Sequence, residues 1–464
     1  GAQSGSATRT IAITAVNDAP VVATTTGSAT YTENASAVTI DSGVAVSDVD
    51  DTQIASGSVS VTGGFTAGDT LAATATETIS ASYDSESGVL SLSGTDTLAT
   101  YQSVLRSVTY SSSSEDLTST SRTITFAVTD ANSDGIGAQS GSATRTIAIT
   151  AVNDAPVVAT TTGSATYTEN ASAVTIDSGV AVSDVDDTQI ASGSVSVTGG
   201  FTSGDTLAAT ATETISASYD SESGVLSLSG TDTLANYQSV LRSVTYSSSS
   251  EDLTSGSTSR TITFAVTDAN SDGIGAQSGS ATRTIAITAV NDAPVVATTT
   301  GSAAYTENAN GVTIDGAVAV SDVDDTQIAS GSVSVSTGFT SGDTLAATTT
   351  GTSVTASYDT SSGVLSLSGT DTLANYQTVH QSVIFSSSSE DLTSGSTSRT
   401  ITFAVTDANS DGFGAQSGSA TRTIAITAVN DAPVVATTTG SATYTENASA
   451  VTIDSGVAVS DVDD

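Results

Sequence analysis

The one chemistry this sequence carries in quantity is oxygen ligation: 49 Asp and Glu stand against 9 Lys and Arg, for a net charge of −40. Asp48 and Asp50 alternate where a strand should end, so both side chains can face one cation, with Asp51 as their neighbour. The run Asp130-Ala-Asn132-Ser-Asp134-Gly135 fits the opening D-x-N-x-D-G of a calcium loop, a set of hard oxygen donors suited to Ca2+. Gly141 stands where an EF-hand would place its Glu. The loop is therefore no EF-hand, and an Asx-rich oxygen cage is what remains. It recurs as Asp268, Asn270 and Asp272, and again as Asp407, Asn409 and Asp411.

Other chemistries are removed by composition. Without Cys there is no disulfide framework, thiolate nucleophile or sulfur-based zinc site. Without Lys there is no Schiff base and no phosphate loop of the kind that needs its lysine. The only histidine, His380, leaves little room for a catalytic triad. The nine Arg are scattered, so no basic patch can follow a phosphate backbone, and nucleic acid is not an expected partner. No apolar run approaches the roughly 18 residues of a membrane helix, so no membrane insertion is expected.

The elements that must position these carboxylates come in repeats. The string VNDAPVVATTTGSA starts at Val16, Val152, Val290 and Val429. Counted from the Asn of each NDAP, three units span 17–152, 153–290 and 291–429, flanked by 1–16, expected as the last strand of a preceding repeat, and 430–464, the start of a following one. The chain is thus expected to be a window on a longer array, its partners being neighbouring repeats. Units one and two differ by Ala67 against Ser203, Thr100 against Asn236 and a Gly-Ser insertion after Leu253; unit three diverges more, with His380 where unit two has Leu241.

Within unit one, alternating apolar and polar residues predict ten strands: Ala29–Glu33, Ala37–Ile40, Val44–Asp48, Gly57–Thr62, Thr70–Thr76, Ile79–Tyr83, Val89–Ser93, Ser107–Ser111, Arg122–Asp130 and Ala143–Val152. Leu98, Tyr101 and Leu105 are helically spaced behind Asp96, which predicts a short helix over 96–105 with an Asp cap. The fold class is all-β, a tandem array of Ig-like β-sandwiches with one short helical turn in each. Tyr31, Tyr83, Tyr101 and Tyr110 are expected to pack rather than to form a sugar platform.

Three features fall in the order of cadherin-type domains: Tyr31-Thr-Glu33-Asn34, then Val46-Ser-Asp48-Val-Asp50, then Phe126-Ala-Val-Thr-Asp130 with Ile147-Ala-Ile-Thr-Ala-Val-Asn153-Asp-Ala-Pro156. The sequence resembles the bacterial cadherin-like tandem repeats of giant secreted RTX-type adhesins, and the resemblance covers all three units and both end pieces. It implies a cadherin-like sandwich, an elongated rod, and calcium bound between consecutive domains. The first junction would use Glu33 with Glu115 or Asp116 below, Asn153 and Asp154 in the linker, and Asp184, Asp186 and Asp268 above. The next would use Glu169, Glu251, Asp252, Asn291, Asp292, Asp322, Asp324 and Asp407. Matching positions at the ends are Asn17, Asp18, Asp48, Asp50 and Asp130, and Glu307, Glu390, Asp391, Asn430, Asp431, Asp461 and Asp463. Ala151 and Ala155 replace two acidic or amide ligands of the cadherin linker, which implies one or two ions per junction rather than three.

Near-identical repeats add length far more readily than they add catalysis, so no enzyme is expected. The function implied is a non-enzymatic stalk or filament segment of an adhesin, extracellular or on a bacterial cell surface, exported by a type I route and stiffened by calcium. The alternative is that the repeats themselves adhere, by glycan binding or by lateral association into a fibre or biofilm matrix.

Overall fold

The computed structural model describes residues 3–117, 119–133, 135–270, 273–409, 412 and 414–463. Unit one contains β1 (Val21–Ala23), β2 (Ser28–Thr32), β3 (Val38–Thr39), β4 (Ala45–Ser47), β5 (Gln53–Gly63), β6 (Asp69–Ala72), β7 (Ser80–Asp84), β8 (Val89–Thr97), α1 (Leu98–Arg106), β9 (Thr109–Ser112), β10 (Ser121–Asp130) and β11 (Ser140–Thr150). A six-stranded sheet runs β2-β11-β10-β5-β8-β7, with β3-β9-β6 and the pair β1-β4 forming the other sheets. Only β2 and β11 pair in parallel within the large sheet. The same sheets recur in units two and three, so the chain is all-β, with three short helices among the described residues.

All ten predicted strands are present, with shifted ends, and β1 is an eleventh that only three residues signal. The helix starts later than predicted. Asp96 still belongs to β8, and the cap is Thr97, whose side chain accepts from the Thr100 N–H. Asp96 instead takes the Thr78 hydroxyl and the Thr97 N–H. The piece 3–16, expected as a final strand, forms none among the described residues; the matching segment of each unit pairs with strands of its own unit, as β11 does with β2 and β10. Among the described residues of the closing piece, only Val434–Ala436 and Ala458–Ser460 pair.

Strand β10 shows how the sequence sets the core. Its inward row is Arg122, Ile124, Phe126, Val128 and Asp130, all buried, so one face carries apolar packing with a charge at each end. Ile124, Phe126 and Val128 join Val59, Leu90, Leu92, Ile147, Tyr101 and Leu105 in one core, and each later unit has an equivalent core. At one end Arg122 Nε donates to Asp69 Oδ2 at 2.7 Å, and Tyr110 donates its hydroxyl to Asp69 Oδ1 at 2.6 Å. Each of these groups satisfies another that burial would otherwise leave bare. At the other end Asp130 enters the site described below.

Unit three breaks this pattern. Phe385 stands where units one and two have Tyr110 and Tyr246, and Asp343 Oδ1 is left buried without a hydrogen-bond partner. Phe385→Tyr is expected to stabilise unit three by about 1–2 kcal/mol by supplying the missing donor. Urea unfolding of the full chain checks this; a midpoint that stays put or falls would show that the hydroxyl does not reach Asp343.

Candidate metal centre

The NDAP linkers that open units one, two and three lie against the unit that follows, with Pro20, Pro156 and Pro294 set over Gly141, Gly279 and Gly418. A Cβ on Gly141 would meet Pro20 O at 1.6 Å, so glycine is needed where the linker backbone crosses β11. This accounts for Gly141, and it holds the linker Asn and Asp beside the ends of β4, β5 and β10.

Three carboxylates converge there. Oxygens of Asp48, Asp51 and Asp130 lie within 4.8 Å of one another, as do those of Asp184, Asp187 and Asp268, and of Asp322, Asp325 and Asp407. Asp48 Oδ1 accepts the N–H groups of Asp50 (3.1 Å) and Asp51 (2.9 Å), an Asx turn that reverses the chain. The turn brings Asp51 round to Asp130 and leaves Asp50 facing the linker, where it accepts the Asp18 N–H at 2.9 Å. Asp51, taken from sequence as a neighbour of the ligands, is therefore central, and Asp187 and Asp325 hold the same place in the later units. Their signal was the third acid of D-V-D-D, but alternation placed it on the wrong side.

The linker amide completes the cluster. Asn17 Nδ2 donates to Asp130 Oδ2 at 3.0 Å, and Asn153 and Asn291 make the same bond to Asp268 and Asp407 at 3.1 Å. Each amide thus presents its oxygen inward. Asn17 Oδ1, Asp48 Oδ2 and Asp51 Oδ2 are buried with no hydrogen-bond donor; so are Asn153 Oδ1 and Asp184 Oδ2, and Asn291 Oδ1 and Asp322 Oδ2. An acceptor bare in this way costs about 1–3 kcal/mol. Several together, all oxygen and mostly anionic, fit a hard cation.

A second group comes from the unit below. Glu33 follows β2, its N–H donates to Thr150 O at 2.9 Å, and its Oε2 accepts the Val152 N–H at 2.8 Å. Its Oε1 is buried without a donor, as are those of Glu169 and Glu307. Asn34, in the left-handed region at φ 60°, donates to Glu115 Oε2 at 3.0 Å and holds it alongside. From above, Asp186 Oδ2 accepts the Asp154 N–H at 2.7 Å.

The carboxyls of these groups shift together. Burial pushes Glu33 up, against the Val152 N–H, and Asp186, Asp154 and Glu115 push it further. Asp154 is raised by burial and by Glu115 and Asp184. Asp186 is raised by burial, against the Asp154 N–H, and by Asp154, Asp184 and Asp116. At the next junction Glu169 is raised by burial and, against the Val290 N–H, by Asp324, Asp292 and Glu251. Asp324 is pushed up to about 6, by burial first and then, against the Asp292 N–H, by Asp292, Asp322 and Asp252. At the third, burial, Glu390, Asp463 and Asp461 raise Asp431. Acids from below, linker and above therefore act on one another, and an opening of about 330 Å³ lined by Asp252, Ala289, Asp322, Asp324 and Leu373 separates them at the second junction.

The predicted loop site behaves differently. Asn132, Asn270 and Asn409 have positive φ and accept, through Oδ1, the N–H groups of Gly137, Gly275 and Gly414 at 2.5 Å. These amides shape the turn. Asp134, Asp272 and Asp411 lie outside the described residues. Asp391 Oδ1 accepts the Ser394 N–H at 3.0 Å, and Asp463 Oδ2 accepts the Asp431 N–H at 2.6 Å. The closing piece also has Asp461 Oδ1 accepting the Asp463 N–H at 3.1 Å, while Asn430 donates to Asp431 O at 2.8 Å.

No protein-family model and no curated protein matches the sequence. Among solved structures the chain is similar to the protocadherin GammaB4 extracellular domain, at 16% identity and TM-score 0.32, covering 91% of this chain and 52% of that one. It is also similar to Drosophila N-cadherin EC1-4, at 16% identity and TM-score 0.24, covering 89% and 76%. A third is human CDH23 EC21-23, at 12% identity and TM-score 0.30, covering 85% and 96%. The chain spans about half the length of the protocadherin chain. These neighbours are tandem extracellular cadherin repeats, and the likeness reaches no further than the fold.

Proposed function

We propose that this chain is a non-enzymatic extender of an extracellular adhesin, built of units 17–152, 153–290 and 291–429, with calcium clamping each unit to the next. The observation that carries the reading is the set of buried, donor-free oxygens on Glu33, Asn153 and Asp184 at the first junction and on Glu169, Asn291 and Asp322 at the second. Asn153, Asp184, Asp187 and Asp268 would hold one ion, and Glu33, Glu115, Asp154 and Asp186 would share a second. Calcium would neutralise acids that otherwise repel, and so fix the angle between units. A bacterial surface origin rests on the sequence resemblance alone.

Calorimetric titration of the calcium-free full chain tests the clamp. Saturable binding is expected, and Asp184→Ala with Asp187→Ala is expected to remove the sites of one junction while leaving the others. Absence of binding in the unmutated chain would reduce the clusters to solvated turns and the protein to a calcium-independent spacer.

A further inference from the structure

We propose that unit three is an acid-labile link in the array, opened by protonation of a histidine sealed in its core. His380 lies on α3 (Leu373–Gln381) and has no exposed surface, at the position of Leu105 and Leu241 in the sister units. Its ring centroid is 5.6 Å from that of Phe403 and 6.4 Å from that of Tyr376, and a Cβ on Gly331 would come within 3.2 Å of Nε2. Neither Nδ1 nor Nε2 has a hydrogen-bond partner. The neutral ring already leaves polar atoms bare, and the protonated ring would put an uncompensated charge in a hydrocarbon site.

The surrounding elements offer that charge nothing. α3 packs on strands Ala319–Ser321, Gln327–Thr337 and Val364–Thr372. The first two carry no titratable group. The third carries Asp371, whose carboxylate accepts the N–H groups of Ser353 and Thr372 and the Asn375 amide at the far end of the helix. Tyr376, on α3 itself, donates its hydroxyl to Gly369 O at 2.7 Å. Strand Ser398–Asp407 brings Phe403, but its Arg399 is bonded to Asp343 and its Asp407 belongs to the acidic cluster.

Burial pushes the imidazole down to about 4 from the ordinary 6.5. A base lowered by folding binds its proton better when unfolded. Stability is therefore full above about 6.5, falls as pH drops below that value, and levels off below about 4. Between pH 7 and pH 5 the opening equilibrium of unit three should rise roughly twenty-fold from this one group. Units one and two, with Leu in its place, supply internal controls: the carboxylates titrate in all three, the histidine in one.

The test uses the full chain, whose single histidine gives an unambiguous NMR signal. With 13C-labelled histidine, the native ring should stay neutral at pH 5. Hydrogen exchange corrected for its intrinsic pH dependence should quicken roughly twenty-fold at 373–387 between pH 7 and 5, beyond any change at the sister segments 98–112 and 234–248. His380→Leu should abolish that excess, whereas Phe385→Tyr, which repairs the other defect of the same core, should leave it. A native ring titrating near 6.5 with no excess exchange overturns the proposal, as does an excess that persists in His380→Leu.

Discussion

Asp205→Ala is expected to destabilise unit two by about 3–5 kcal/mol, enough to unfold it alone while its neighbours stay folded. Asp205 Oδ2 accepts Arg260 Nε at 2.7 Å, its Oδ1 accepts the Tyr246 hydroxyl at 2.6 Å, and both ionic side chains have no exposure. Arg260 also donates to Leu253 O and Thr202 Oγ1, at 3.1 Å each, so it cannot swing out to water without breaking the loop that closes the sandwich. Removing the carboxylate leaves a guanidinium buried beside a phenol. Replacing both partners, Asp205→Leu with Arg260→Met, should cost far less than the single change, because no charge is then stranded. Urea unfolding followed by circular dichroism reads the result as an early transition carrying about a third of the amplitude. A shift below about 1 kcal/mol for Asp205→Ala would mean that water reaches the pair.

Much of this was legible in the sequence, for reasons particular residues make plain. The row Arg122-Thr-Ile-Thr-Phe-Ala-Val-Thr-Asp130 alternates through a whole strand, and such a strand has one choice of inward face. Asp48, Asp130 and Asn153 were legible as candidate ligands because they are short acids and amides set at strand ends in a chain whose one abundant chemistry is oxygen ligation. Asp51 was missed because strand alternation stops being a guide one residue past the strand: the Asx turn at Asp48 reverses the chain, and no periodicity describes a reversal. The helix cap moved from Asp96 to Thr97 for a related reason. Asp96 stays in β8 opposite Ile54, so register outweighed the local preference for Asp at a helix start. The buried pair of Arg122 and Asp69 was not legible as a pair: alternation sets Arg122 in the inward row of its strand, but the acid that meets it lies 53 residues away and nothing local names it.

Chelation of the full chain is expected to lower its melting temperature and to shrink its largest dimension in solution scattering, as junctions that calcium held straight begin to bend. At a hundredfold excess over Kd a single ion adds about 2.7 kcal/mol, which for a unit of this size corresponds to roughly 5–10 °C. The acidity of the junction gives this prediction a second arm. Asp324, raised to about 6 by burial and then by Asp292, Asp322 and Asp252, is an acid that folding makes harder to ionise. Its contribution to a docked junction is present below the ordinary carboxylate range and is lost as pH rises through about 6. Without calcium, the junction should therefore be tighter at pH 5 than at pH 7. With calcium the order reverses, because protons compete for the same oxygens and affinity falls as pH drops through the same range. The two opposite slopes are the signature of a cation site; solvated acidic turns would give weak slopes of one sign with calcium or without. Scattering and melting curves at pH 5 and pH 7, each with calcium and with chelator, separate the cases, and curves that ignore calcium at both pH values would remove the clamp from the account of this protein.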